Sequence, residues 1–236
     1  MIDRAETSDP SLLSLLRKHP RVKEVLPGGD RGLRFQQGDW KRSIAVGDPS
    51  LAVCGLVEMM DNNPLVCTDS ASVPDAGSTL ALIALGPLVR AGLLVEPPTV
   101  MTNFPAEADL IGRFLDREGW SQGVTYALEP IDLDPVFVAS VISAIKTPAR
   151  LEDIDDLYEE AYGRSFFVRR EEESAWDVGL VHSKAFAAYK MRIAPDEPNS
   201  LLSIQVMADK DGKCGAAQVV HCMNVMAGFE GTLGIS

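Results

Sequence analysis

Val73-Pro-Asp-Ala-Gly-Ser-Thr-Leu-Ala-Leu-Ile-Ala-Leu-Gly-Pro-Leu-Val-Arg-Ala-Gly-Leu-Leu94 is the stretch on which the fold turns. Its apolar run predicts a helix over residues 74–91. Asp75 or Ser78 stands where the helix start needs an oxygen acceptor. Gly92 stands just past the end, where a left-handed residue closes the last turn. The part from Leu80 to Leu94 is the nearest approach to a membrane span. It is too short for one and carries Arg90.

Working outward, residues 10–23 read as a helix with Leu12, Leu13, Leu15 and Leu16 on its apolar face. Ser8 or Asp9 caps it, Pro10 sits in its first turn, and His19-Pro20 closes it. Residues 26–50 are rich in Gly and Asp and show little periodicity, apart from a short strand over 43–46. Residues 51–60 fit strand or helix equally. Asn62-Asn63-Pro64 reads as a turn and 65–68 as a short buried strand. A strand and turn are expected over 95–103. An amphipathic helix is expected over 106–118, where Leu110, Ile111, Phe114 and Leu115 share a face.

Further on, 136–145 is a β-branched run suited to a covered sheet. Residues 151–162 form an acidic helix. Strands are expected at 165–168, 184–193 and 200–207, then a turn at 209–213 and a helix over 214–226. Strands and helices alternate irregularly, so the fold class expected is α/β or α+β, a mixed sheet packed by helices.

Composition narrows the function classes. With 34 acidic against 22 basic residues the formal charge is −12. That argues against a nucleic-acid or anionic-membrane surface, since both need clustered cations. The start of the chain shows no basic segment leading into an apolar one, so a cytoplasmic location is the default. Cys54, Cys67, Cys214 and Cys222 have no Cys-x-x-Cys spacing and read as reduced, buried thiols. The 3 histidines have no ligand-like spacing, so no metal site is expected.

The opening stretch resembles, without a gap, the active-site segment of N-acetyl-gamma-glutamyl-phosphate reductases, in the semialdehyde dehydrogenase family. There the segment reads roughly Asn-Pro-Gly-Cys-Tyr-Pro-Thr before an apolar helix ending in Pro-Leu and Ala-Gly-Leu. Tyr158–Val168 resembles that family's tyrosine-rich helix and Pro-Phe-Val. Ala208–Phe229 resembles its loop and helix beside the nicotinamide cofactor, with Gln218, Met223 and Asn224 in place. Leu12–Val22 is similar to the first helix of its Rossmann domain. The resemblance implies a shortened Rossmann remnant over 1–72 and a catalytic and dimerisation domain over 73–236. It also implies a homodimer formed through the sheet.

The same resemblance locates what is missing. Ala76 occupies the slot of the cysteine nucleophile, and a methyl group forms no thioester. Phe104–Asp109 falls on the family's first histidine segment and holds no histidine. Ala127 occupies a second histidine slot, and Leu133 that of a basic residue. Counting back from His19-Pro20, the three glycines of the nucleotide turn fall on Asp3, Glu6 and Asp9, and the chain begins too late to supply the strand before them. Carboxylates in those slots repel a pyrophosphate and block its approach, so no cofactor is expected.

The remaining polar groups are the candidates. Glu107, Asp109 and His182 are read as catalytic acid/base groups, and Ser78, Thr79 and Lys184 as substrate-binding groups. The helix start at 75–79 offers backbone N–H groups to an anion. Each candidate also has a plain structural role: helix cap for Ser78 and Thr79, solvated helix face for Glu107 and Asp109, exposed turn for His182 and Lys184. Cys67 as a displaced nucleophile lacks a neighbour to activate it. His221 reads as structural, and 209–210 as a surface turn. Three functions follow as expectations. The first is a non-redox enzyme on this scaffold acting on a small carboxylate-bearing or amino-acid-like substrate. The second is a non-catalytic dimeric partner protein, and the third a surviving reductase using Cys67.

Overall fold

The structure is a computed structural model and describes residues 1–29 and 32–235. Two mixed sheets with helices between and against them form an α/β architecture. The first sheet holds β1 (Ile2–Thr7), β2 (Val22–Pro27), β3 (Leu33–Gln37), β4 (Trp40–Val46) and β5 (Ser70–Val73), in the order β2-β1-β3-β4-β5. β1 runs parallel to β2 and β4 to β5, while β3 is antiparallel to both neighbours. On one face Ile2, Ala5, Leu33, Phe35, Ile44 and Ala71 pack against α1 (Pro10–Lys18) and α6 (Ala216–Met226). The other face carries Arg4, Glu6, Arg34, Gln36, Lys41 and Ser43, which line an open polar cleft. Alternation of this kind belongs to a sheet covered on one side only.

The second sheet holds β6 (Thr99–Thr102), β7 (Thr125–Leu128), β8 (Val136–Lys146), β9 (Val168–Arg170), β10 (Ala187–Ala194) and β11 (Asn199–Asp209), ordered β7-β6-β8-β11-β10-β9. An unbroken antiparallel ladder from Val136↔Asp209 to Lys146↔Asn199 is its spine. Its inner face meets α3 (Ala76–Arg90), α4 (Ala108–Glu118) and α5 (Glu152–Tyr162).

α3 is buried from Gly77 to Val89, on every side. An all-round apolar helix has nowhere to go but a core. Each of its leucines and isoleucines contributes about 1.5–3 kcal/mol of burial. α5 is pinned to it by two phenols: Tyr158 donates to the Ala84 carbonyl, and Tyr162 to the Leu82 carbonyl at 3.3 Å. The end of α3 closes as expected: Leu93 N–H reaches the Leu88 carbonyl (3.0 Å) and Gly92 N–H the Val89 carbonyl (2.9 Å), with Gly92 at φ 64°.

Several expectations need correction. A strand does precede the first helix, since β1 covers Ile2–Thr7. Asn62–Cys67 is one short helix, α2, and replaces the expected turn and strand. Leu65 is buried while Val66 and Cys67 are exposed, which is helical spacing. The reading of Cys67 as a buried strand thiol therefore fails. The strand follows instead at Ser70. Residues 51–60 are mostly bends, with a 3-10 turn at Val57–Met59. The strand expected at 165–168 starts only at Val168, because Ser165 Oγ accepts from Phe167 N–H (3.0 Å) and holds a turn there. β2, β3 and β7 carry weak alternation and escaped the periodicity reading. Of the 26–50 stretch, residues 30 and 31 lie outside the described residues. Among the described residues no helix is long and apolar enough to cross a membrane.

Gly77 tests the packing of α3 on α4. A Cβ there would lie 2.7 Å from the Ala106 Cβ. Alanine normally gains about 1 kcal/mol over glycine inside a helix. Here Gly77→Ala is expected to lose about 1–3 kcal/mol through overpacking, measured by urea denaturation. A neutral or stabilising result would contradict this contact.

Candidate functional site

Pro74 carries the chain from β5 into α3, and Asp75 caps the helix. Its Oδ1 accepts the Ser78 N–H at 3.3 Å, and its backbone carbonyl accepts the Thr79 N–H at 2.8 Å. Ala76, in the nucleophile slot, is the first helical residue. The helix start therefore already holds a carboxylate. A second anion about 4 Å away meets roughly 1 kcal/mol of repulsion in water and about 4 near a protein surface. The anion site expected at 75–79 is thus occupied by the protein's own cap.

The expected substrate contacts from Ser78 and Thr79 are corrected too, because both side chains are fully buried. Thr79 Oγ1 donates to the Pro74 carbonyl (3.3 Å), and Gln218 Nε2 reaches both that carbonyl (2.9 Å) and Thr79 Oγ1 (3.1 Å). Ser78 Oγ is buried with no hydrogen-bond partner. These hydroxyls face the core and leave no surface for a ligand.

Glu107 stands at the cap position of α4 and Asp109 in its first turn, both exposed. Their charges complement the positive end of that helix. His182 and Lys184 are exposed on the turn before β10. Between them Ser183 takes φ 58° and gives its N–H to Asp209 Oδ2 at 2.7 Å. Asp209 is therefore buried and structural, while Lys210 pairs with Asp134 at 2.7 Å.

Gly212 sits so close to the Lys184 carbonyl that a Cβ would lie 2.1 Å from it. A chain of contacts runs from Lys184 through Gly212 and α6 to Gln218, Pro74 and α3, and on through Gly77 to Ala106 beside Glu107. The candidates from distant parts of the sequence hang on one scaffold. None of them lines the polar cleft on the open face of the first sheet. The histidine-slot residues are apolar in place: Phe104 stacks on Phe137 at 4.0 Å, and Ala127 is exposed in β7.

A buried ionic cluster went unforeseen. Lys213, 0% exposed, holds both oxygens of Glu58 at 2.6 and 2.7 Å. His221 Nδ1 lies 3.5 Å from Glu58 Oε1, outside hydrogen-bond geometry, and its ring stacks on Phe167 at 4.0 Å. Burial alone would raise the Glu58 carboxyl. Lys213, helped by His221, outweighs burial and holds it below its ordinary value. Burial pushes His221 down to about 4, against the pull of Glu58. The signal was one carboxylate inside an apolar run and one lysine directly before an apolar helix, 155 residues apart.

The buried thiols are inert. Burial pushes Cys222 up to about 12 and raises Cys54 and Cys214. Among the described residues no group of three His, Cys, Asp or Glu is placed to hold a metal.

The nicotinamide dinucleotide implied by the resemblance does not fit. β1 passes into α1 through Ser8 and Asp9 alone, without a glycine turn. Asp9 Oδ1 caps the helix by accepting Leu12 N–H at 2.8 Å, in the place a pyrophosphate needs. Asp3 and Glu6 do not sit at that helix start. They lie within β1, where Asp3 bonds Lys23 (2.5 Å) and Gly38 N–H (2.8 Å). The glycine turn is thus absent rather than substituted.

Comparison with known proteins agrees with this architecture. No protein-family model matches the chain. It is 25% identical over 193 residues to an N-acetyl-gamma-glutamyl-phosphate reductase of Bacillus cereus (strain 03BB102), covering 69% of this chain and 56% of that one. A Bacillus mycoides (strain KBAB4) protein of the same name is 24% identical over 96% of this chain and 68% of its own length. The chain thus spans little more than half of the first relative. Aspartate semialdehyde dehydrogenase II from Vibrio cholerae, in complex with ASA, superposes with a TM-score of 0.63 at 12% identity. That match covers 96% of this chain and 98% of the other.

The two sheets and the apolar helix between them are those of the semialdehyde dehydrogenase fold. The chain thus has the semialdehyde dehydrogenase fold and is similar in sequence to N-acetyl-gamma-glutamyl-phosphate reductases.

Removing one member of the buried pair leaves the other charge unpaired. Glu58→Gln is expected to cost about 3–5 kcal/mol, and Glu58→Leu combined with Lys213→Met clearly less, read by urea denaturation. Additive losses would sink that account. The pH dependence has a definite sign. His221 is held neutral in the fold, so the unfolded chain takes up its proton first. The stability it contributes is full above about pH 6.5 and falls away toward pH 4, by on the order of 3 kcal/mol. In thermal melts His221→Gln should flatten that window, and an unchanged profile would refute the assignment.

Proposed function

We propose that this chain is a non-redox enzyme on the reductase scaffold, acting by proton transfer on a small carboxylate-bearing, amino-acid-like substrate. One observation carries the non-redox part. The nucleophile slot is a methyl group, and the nucleotide turn is replaced by a two-residue link capped by Asp9. A methyl group forms no thioester, and the Asp9 cap supports the reading that no hydride donor binds. Glu107 or Asp109 takes a proton from the substrate, His182 returns one, and Lys184 holds the carboxylate. Residues 1–72 serve as the reduced nucleotide lobe and 73–236 as the catalytic and dimerisation lobe, with α6 crossing back under the first sheet. The location is cytoplasmic, and nucleic acid and membrane are not partners.

A second reading, a non-catalytic homodimeric partner of a pathway enzyme, is favoured by a different observation. Ile142 on β8 and Leu201 on β11 are 39% and 50% exposed on the outer side of the second sheet. Burying them against a second copy follows from their apolar character.

The test is exchange chemistry. The protein is incubated in D2O with individual amino acids, N-acylamino acids and dicarboxylates, and proton loss is followed by NMR. At least one substrate should exchange, and Glu107→Gln, Asp109→Asn and His182→Asn together should slow it about 10²–10⁴-fold. No exchange, or an unaffected triple variant, rejects the enzymatic reading, and light scattering showing a dimer then leaves the partner reading. Calorimetric titration with NADPH should give no binding, and saturable heat would reject the non-redox part.

A further inference from the structure

A second cleft, of about 530 Å³, opens where α2, the end of α5, α6 and the 230–232 segment meet, away from the candidates at α3 and α4. Its floor is the Glu58–His221 contact. Nδ1 of His221 faces the carboxylate, and the Cδ2–Nε2 edge lies toward Gly231 on the cleft wall. The carboxylate favours the tautomer with its proton on Nδ1, which leaves Nε2 to accept a hydrogen bond. This imidazole is nine-tenths buried, and its Nδ1 has no formed hydrogen bond.

The rim carries three exposed charges: Arg164, Asp61 and Glu230. None of the three makes an ion pair among the described residues. Phe166, 41% exposed, and Phe167 supply an apolar wall.

We infer that this cleft binds a free α-amino acid. Arg164 takes the carboxylate, and the ammonium donates to His221 Nε2 with Asp61 and Glu230 close by. The side chain lies against Phe166 and Phe167. A simple carboxylate leaves the imidazole acceptor and the two rim acids without a partner, and a simple amine leaves the guanidinium without one. Only a zwitterion satisfies both ends. Glu58 acts as a positioning residue, aiming the imidazole while Lys213 neutralises it. The site holds independently of the chemistry proposed at α3 and α4.

The test uses the purified chain with the common L-amino acids added singly at millimolar concentration. At least one should raise the melting temperature by about 2–4 °C and saturate in calorimetry. Arg164→Gln, at an exposed position, should weaken that binding about tenfold or more without loss of fold, and His221→Gln likewise. Combined Glu107→Gln and Asp109→Asn should leave it unchanged, which separates this site from the one proposed above. The inference is overturned if no amino acid shifts the melt or if Arg164→Gln binds as tightly as wild type. It is also overturned if acetate or propionate binds as well as the amino acid.

Discussion

The Glu58–Lys213 pair ties the segment beside α3 to the start of α6, between the two sheets. Glu58 belongs to the segment packed beside α3, and Lys213 to the turn that launches α6 under the first sheet. Two full charges removed from water must find each other or bear several kcal/mol of desolvation. The pair therefore permits one placement of α6 relative to α3. Hydrophobic burial on both sides supplies the bulk of the stability, and the ion pair chooses among the ways that burial can be achieved. His221 and Phe167 pack onto the same point, so the 164–168 turn inherits its position from it.

Legibility in the sequence followed burial. α3, α4 and α5, the β8–β11 ladder and the Asp9 cap came through because each repeats one physical demand over many residues. α2 failed because six residues hold too little periodicity to separate helix from strand. β2, β3 and β7 failed because short strands with one wet face carry a weak pattern. At the candidate site, Ala76 was easy to single out in the sequence, and the environment of the polar groups was not. Ser78 and Thr79 looked available, and only their total burial revealed that the hydroxyls point inward. The Glu58–Lys213 contact joins residues 155 apart, and no local pattern encodes it. The β1–α1 link shows a further limit. Counting from one anchored motif assumes that no residue has been deleted between strand and helix, and here the turn itself has gone.

The contacts that pack the scaffold are in place. The tyrosines of α5 still bond to α3 carbonyls, and Gln218 still ties α6 to Pro74. Ala76 at the first position of α3 fits this packing and offers no reactive group. A carboxylate cap occupies that helix start, where Asp75 accepts from Ser78 N–H. Asp75 and Asp9 are that same solution at two helices.

The open face of the first sheet has one more effect. On β3, Leu33 and Phe35 point to the helices while Arg34 and Gln36 point to water. A slip of one residue would drive a guanidinium into the interior and turn a phenyl ring outward. The charged outer row thus acts as a ratchet on strand alignment. A sheet without a second helical layer keeps its registration by the penalty attached to every neighbouring alternative.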